Sequence, residues 1–192
     1  LDYSFGSFKL FNTATLPTPI NGGLTREVTS PTPATQLSAA TFNVENLAPT
    51  DGAAKFNALA TLIVANLRAP DLLALEEVQD NNGSTNDSIV DASQTAAVLI
   101  AAISAAGGPA YQYRDIPPVD DQDGGEPGGN IRVGFVSTDR GLQFVERPGG
   151  TSTGATTVVN TPNGPQLSAS PGRIDPTNAA FANSRKPLVG EF

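Results

Sequence analysis

The chain has 192 residues and a formal charge of −8, from 19 acidic and 11 basic side chains, with no cysteine and no histidine. The missing cysteines exclude disulfides, thiol catalysis and cysteine-ligated zinc, and the acidic balance argues against a protein that grips nucleic acid through a basic surface. An apolar content of 39% supports one sizeable core, with one or two domains expected, and no apolar run reaches the roughly 18 residues of a membrane span.

In chain order, residues 1–11 alternate Tyr3 and Phe5, then Phe8 and Leu10, about Gly6, which predicts one or two short strands. The chain opens on Leu1 rather than methionine, which reads as a mature or internal start. From 12 to 36 the sequence is rich in Thr, Pro and Gly (Pro17, Pro19, Pro31, Pro33, Gly22, Gly23) and reads as an extended linker. Leu37 opens a larger unit, 37–192.

The stretch from Thr41 to Asp80 organises that unit. Thr41-Phe42-Asn43-Val44-Glu45-Asn46 reads as an apolar strand ending in polar residues. Phe56, Leu59, Ala60, Ile63 and Leu67 share one helical face, and Pro70 is expected to stop that helix. Leu72 to Asp80 then reads as a second apolar strand ending in acid. A helical crossover between two strands implies a parallel pair with a right-handed connection, so both carboxyl ends lie on one sheet edge. Asn43 and Glu77 can therefore meet there, where open sheets place ligands. Strict alternation puts Leu73, Leu75 and Glu77 on one face and Leu72, Ala74 and Glu76 on the other. A carboxylate at the end of a buried strand is costly unless paired, hydrogen-bonded or bound to a cation, and Mg²⁺ suits a carboxylate with an amide oxygen. The residues alone leave equally open that Asn43 caps a turn and Glu77 ends its strand in solvent.

Beyond Asp80, Ala96, Leu99, Ile103 and Ala106 mark a second helix that Gly107-Gly108-Pro109 ends, and Tyr111 to Ile116 reads as a strand. Asp120, Asp121, Asp123 and Glu126 follow among glycines. Closely spaced carboxylates can hold Ca²⁺, which makes Asp121 and Asp123 candidates for a second cation; without EF-hand spacing, a solvated acidic loop is the reading the residues favour. Asn130 to Val136 alternates Ile131, Val133 and Phe135, as a strand does, with Gly141 to Glu146 expected as its hairpin partner. The Thr, Ser, Gly and Asn run over 149–163 reads as a long loop, and Lys186 to Phe192 as the start of another strand.

Thr-Phe-Asn-Val-Glu-Asn-Leu (41–47) and Pro-Asp-Leu-Leu-Ala-Leu-Glu-Glu-Val-Gln-Asp (70–80) resemble the first two motifs of the endonuclease/exonuclease/phosphatase superfamily, the fold of pancreatic-type deoxyribonucleases. The segments 123–136 and 184–188 resemble the arrangement in its secreted bacterial nucleases, so the resemblance spans roughly Leu37 to Phe192. It implies an α/β (α+β) four-layer αββα sandwich with mixed sheets flanked by helices. It also implies that Asn43 and Glu77 bind a catalytic Mg²⁺ (or Mn²⁺ or Ca²⁺), that Arg185 contacts substrate phosphate, and that the substrate is DNA or RNA in an extracellular bacterial setting. Asp2-Tyr3-Ser4-Phe5-Gly6 resembles the last strand of the β module that precedes the catalytic domain in such nucleases, which gives residues 1–11 that assignment.

One departure is large. The family's Asn-x-His, Gly-Asp-x-Asn and Ser-Asp-His segments are absent, and with them the histidine that serves as general acid or base near neutral pH. The expectation is therefore the N-terminal half of a catalytic domain, inactive without its missing C-terminal half. Two alternatives stay open: a lipid or sugar phosphodiesterase or phosphatase of the same fold, and a non-catalytic surface binding module.

Overall fold

The computed structural model describes residues 1–192. Strands β1 (Asp2–Ser4) and β2 (Ser7–Lys9) form a small antiparallel hairpin, turned by Phe5 and Gly6 in left-handed conformations. The following Pro/Thr-rich segment forms no helix or strand up to β3 (Ala39–Leu47). It is nonetheless latched at one point. Thr29 donates its N–H to the carbonyl of Asn66 (2.9 Å), the Asn66 amide donates to the Glu27 carbonyl (2.8 Å), and Arg68 Nε donates to the Thr29 carbonyl (2.8 Å).

The body is a mixed α/β unit. Strands β3, β4 (Leu72–Val78), β5 (Gln112–Asp115) and β6 (Arg132–Ser137) form one sheet in the order β3-β4-β6-β5, with β3 and β4 parallel and the remaining pairs antiparallel. Helices α1 (Gly52–Thr61) and α2 (Ser93–Ala105) cover one face. The apolar spacing explains the packing: Phe56 and Ala60 of α1, with Ile63 just beyond it, meet Leu99, Ala102 and Ile103 of α2 over Val44, Leu73, Leu75, Val78 and Val136 of the strands. Each Val, Leu, Ile or Phe buried here is worth about 2 kcal/mol. No helix is long and apolar enough to cross a membrane.

The opposite face of the sheet is only partly covered. Thr41 and Asn43 are exposed on it, while Phe192 packs edge-on against Phe135 and Phe144, with ring centroids 6.0 and 5.1 Å apart. Two small antiparallel pairs lie outside the main sheet: β7 (Val158–Thr161) with β8 (Gly164–Leu167), and β9 (Gly172–Arg173) with β10 (Leu188–Val189).

Four sequence expectations are corrected. The helix does not run to Pro70: a π-type turn over Leu62–Asn66 follows α1, and Arg68 and Ala69, both left-handed (φ 58° and 47°), turn the chain back first. Segment 141–146 is no hairpin partner of β6, because β4 and β5 occupy both edges of that strand; it peels away and lays Phe144 over the open face. The run 149–163 is not all loop, since its end builds the β7–β8 hairpin. Finally, strict alternation fails in β4 at Glu77, which bears directly on the site.

At the amino end of β4, Asp71 is buried and saturated. Its carboxylate accepts the Ser38 N–H and hydroxyl, each at 2.8 Å, and pairs with Arg140 at 2.7 Å. Burial by itself would raise this carboxyl's pKa; the Ser38 and Arg140 contacts outweigh it and hold the group below the ordinary aspartate range.

Candidate functional site

The carboxyl ends of β3 and β4 are irregular at the same level. In the parallel register Asn43 stands opposite Glu76, and the next pair is Leu47 with Val78, so β3 bulges between them. On the other side, Leu75 pairs with Gly134 and Val78 with Arg132, leaving Glu76 and Glu77 opposite Val133 alone. An extra residue of this kind breaks the period of two and re-aims side chains. The core dictates the bulges: Val44, Leu47, Leu75 and Val78 are all buried in one cluster, so the surplus polar residues are pushed out of phase. Glu77 is therefore not on the Leu73/Leu75 face. Val78 takes the core position that alternation would have given to Glu77.

The backbone carries the cost. Glu45, Asn46 and Glu77 are left-handed (φ 58°, 52° and 63°), a conformation that costs a non-glycine residue on the order of 1–3 kcal/mol and clusters at functional sites. Local bonds hold it in place. Asn43 Oδ1 accepts the Glu45 N–H at 2.7 Å, and Lys55 Nζ donates to the Glu45 carbonyl at 2.6 Å. On the uncovered face, the Thr41 hydroxyl donates to Glu76.

Arg185 approaches the same edge from a distant segment. Its Nη2 lies 3.5 Å from Glu77 Oε1, with the two side chains 33% and 23% exposed. The segment is pinned by Lys186, whose Nζ donates to the carbonyls of Gln122 and Ser184, each at 3.2 Å, and of Phe181. Gly124 lets the two loops touch: it is left-handed (φ 64°), and a Cβ there would lie 2.3 Å from the Asn183 carbonyl oxygen.

Glu77 and Arg185 thus meet at one sheet edge, with Asn43 on the neighbouring strand in register with Glu76, while the acidic loop is put to other uses. Asp123 is buried against Arg173, Oδ2 to Nη1 at 2.7 Å, and Arg173 also donates to the Ile116 carbonyl at 2.9 Å. Asp121 accepts the Gly128 N–H at 3.2 Å, and its own N–H donates to Asn130 Oδ1 at 2.9 Å. The Asn130 amide donates in turn to Asp80 and Asp120. Burial raises the pKa of Asp80, with the bonds from Asn130 and Asn82 opposing the shift. Among His, Cys, Asp and Glu, no three side chains are grouped so as to hold a metal ion; the loop carboxylates are dispersed over separate partners.

The β3/β4 edge has no such group of three either, but it offers carboxylate and amide oxygens. An amide oxygen and carboxylate oxygens are the ligands Mg²⁺ and Mn²⁺ take, with water and phosphate oxygens completing the sphere. The contact between Glu77 and Arg185 is long and partly exposed, the kind of pair that contributes little and exchanges readily. Thr41, Lys55 and Glu76 went unassigned from sequence. The signal available for Glu76 was the doubled glutamate at the strand end, and for Thr41 its place two residues before Asn43, on the same strand face.

Comparison with protein-family models, with curated proteins and with solved structures found no match.

Proposed function

We propose that the β3/β4 edge is the metal and phosphate half of a phosphodiester-hydrolysing centre, with nucleic acid as substrate. The observation that carries this reading is the contact of Glu77, at a left-handed bulge, with Arg185, 108 positions away in sequence, beside the end of β3 that carries Asn43. Asn43 and Glu77 would hold a divalent cation, Mg²⁺ in the first instance. When bound, that ion supplies Lewis-acid polarisation of a phosphoryl oxygen. Arg185 binds the phosphate, a task to which its planar fork is suited. Without the ion, Glu77 supplies the negative charge that holds Arg185 beside the site, and Asn43 fixes the Glu45 turn next to it.

The chain has no histidine, so the base that activates water comes from a further segment. The uncovered sheet face is the surface on which a second sheet would pack, completing a four-layer αββα sandwich. A second reading, a lipid or sugar phosphate on the same centre, is favoured by the charge of −8, which repels a polyanion.

The test is anisotropy of a fluorescein-labelled oligonucleotide titrated with the chain, with and without Mn²⁺. The expected result is metal-dependent binding without cleavage, lost in Glu77→Gln and in Arg185→Gln. Binding independent of the metal, or unaffected by both substitutions, overturns the proposal. Competition by inositol phosphate at far lower concentration than by unlabelled DNA selects the second reading.

A further inference from the structure

The main sheet has two edge strands, β3 and β5, and the chain treats them unequally. At β5 the edge is guarded by charge. Arg114 donates from Nη1 to the Tyr113 carbonyl at 2.9 Å and pairs with Glu146, and Asp115 follows on the strand. Charged side chains on an edge strand are a usual device against the addition of a further strand. At β3 the run Ala39-Ala40-Thr41-Phe42-Asn43-Val44 contains no charge and no proline.

The ladder decides which backbone groups that edge offers. Along a strand, successive residues direct their N–H and C=O to alternate sides. The Ser38 carbonyl accepts the Leu72 N–H at 3.0 Å, so Ala40 and Phe42 address β4, while the N–H and C=O of Ala39, Thr41 and Asn43 point outward. No strand of the chain pairs there, and no turn or loop bond reaches these groups. The open stretch is bounded at its far end, where Glu45 turns left-handed and Lys55 Nζ takes its carbonyl at 2.6 Å.

Such a row is a template for an extended backbone, and β3 is its own complement. With a two-fold axis through Thr41, an antiparallel copy sets Thr41 opposite the copy's Thr41 and Ala39 opposite the copy's Asn43, so every outward donor meets an outward acceptor. Thr opposite Thr is a favourable cross-strand pair. Ala40 and Phe42 pack half-buried at the margin of the core. In this register they stand opposite the copy's Phe42 and Ala40, which carries the apolar layer across the junction. Glu45, the one charged residue of β3, lies beyond the paired stretch, so no like charges are placed opposite each other.

We propose that the outer edge of β3 is a homodimer interface, which joins the sheets of two copies into one continuous sheet through the backbone of residues 39–43. The pairing uses main-chain groups and does not depend on the metal-centre reading. So short a stretch buries less than the ~800 Å² per partner of a standard interface, and the dimer is correspondingly weak, with a dissociation constant on the order of 100 µM.

The test is sedimentation equilibrium of the intact chain from about 10 µM to about 1 mM, a range that brackets this affinity, with hydrogen exchange of single amides at both ends of it. The expected result is a reversible rise from the 19.7 kDa of one chain toward twice that mass. The Thr41 amide should gain protection as the dimer forms, while that of Phe42, already bonded to β4, should not change. Thr41→Pro removes an outward donor and leaves the β4 ladder intact, the setting in which an edge strand tolerates proline; it is expected to weaken the dimer by about tenfold or more. Ala39→Pro removes another outward donor and serves as the second variant, with far-UV circular dichroism reporting which of the two is folded. Thr41→Val keeps the backbone donor, and its dimer is expected to stay within about twofold of native. A chain that remains monomeric at the top of the range overturns the proposal. So does a dimer of native affinity in the proline variants, or one in which the Thr41 amide gains no protection, since the contact then lies elsewhere. A loss in Thr41→Val equal to that in Thr41→Pro would show that the side chain carries the contact, and overturns it as well.

Discussion

Strand β4 is flanked by an acid at its amino end and carries one at its carboxyl end, and the two are treated in opposite ways. Asp71 is buried, accepts two hydrogen bonds from Ser38 and pairs with Arg140 at 2.7 Å; the backbone there makes an ordinary ladder contact, Leu72 N–H to the Ser38 carbonyl. Glu77 is left-handed, partly exposed and touched by one guanidinium at 3.5 Å. The first carboxylate is finished by the fold, whereas the second is paid for in backbone strain and left with coordination to spare. That difference separates an acid that holds the sheet together from one that, on the proposed reading, is held ready for a ligand.

The comparison can be pressed in order of expected effect. The buried pair Arg173–Asp123 belongs with Asp71. Asp123→Ala would strand a guanidinium that is 2% exposed, and a loss of about 4 kcal/mol is expected in urea unfolding, as for other broken buried pairs; a loss near zero would mean that the acidic loop is not structural. Asp71→Ala should cost about 3 kcal/mol, because the Ser38 N–H and hydroxyl lose their acceptor. The pH dependence has a definite sign. Since the folded pKa of Asp71 lies below its ordinary value, its contribution is complete above the unfolded pKa of about 3.9 and disappears as pH falls through the folded one. Acid unfolding of the native chain should steepen below about pH 4, and Asp71→Asn should remove that component.

At the other end of the strand the sign reverses. Glu77→Gly relieves a left-handed non-glycine residue and should raise stability by about 1 kcal/mol while abolishing Mn²⁺ binding. A destabilised Gly variant would place Glu77 with Asp71 as a structural acid. The smallest effect is expected for Arg185→Gln: removal of a partly exposed competing cation should tighten Mn²⁺ binding by about threefold, within the range of surface ion pairs, as read by calorimetric titration.

What the sequence disclosed follows from the range of each signal. The β3–α1–β4 unit was legible because Phe56, Ala60 and Ile63 repeat on one helical face and the strands flanking them are short apolar runs. Short strands within residues 1–11 were legible for the same local reason, though not their pairing into a hairpin. The β6 pairing was not, because a partner segment adjacent in sequence competes with β4 and β5, and the winner is decided by the core around Val136. The β7–β8 hairpin had a local signal that composition masked: Pro162-Asn163 fills its two-residue turn, and Gly164, at φ 109°, opens the return strand paired with Thr161. Asn43 and Glu77 could be placed on one edge from topology, but not the bulge at Glu77, because it arises from Leu75 and Val78 both claiming core positions. The Arg173–Asp123 pair spans 50 positions, and no local pattern encodes it.

The most direct test of the central claim is a crystal structure grown with Mn²⁺ and phased on its anomalous signal. The account predicts one ion at the carboxyl edge of β3 and β4, about 2.2 Å from oxygens of Asn43 and Glu77, with Arg185 swung off Glu77. An ion bound instead in the acidic loop at 120–126, or an intact Glu77–Arg185 pair with no ion at that edge, would contradict it.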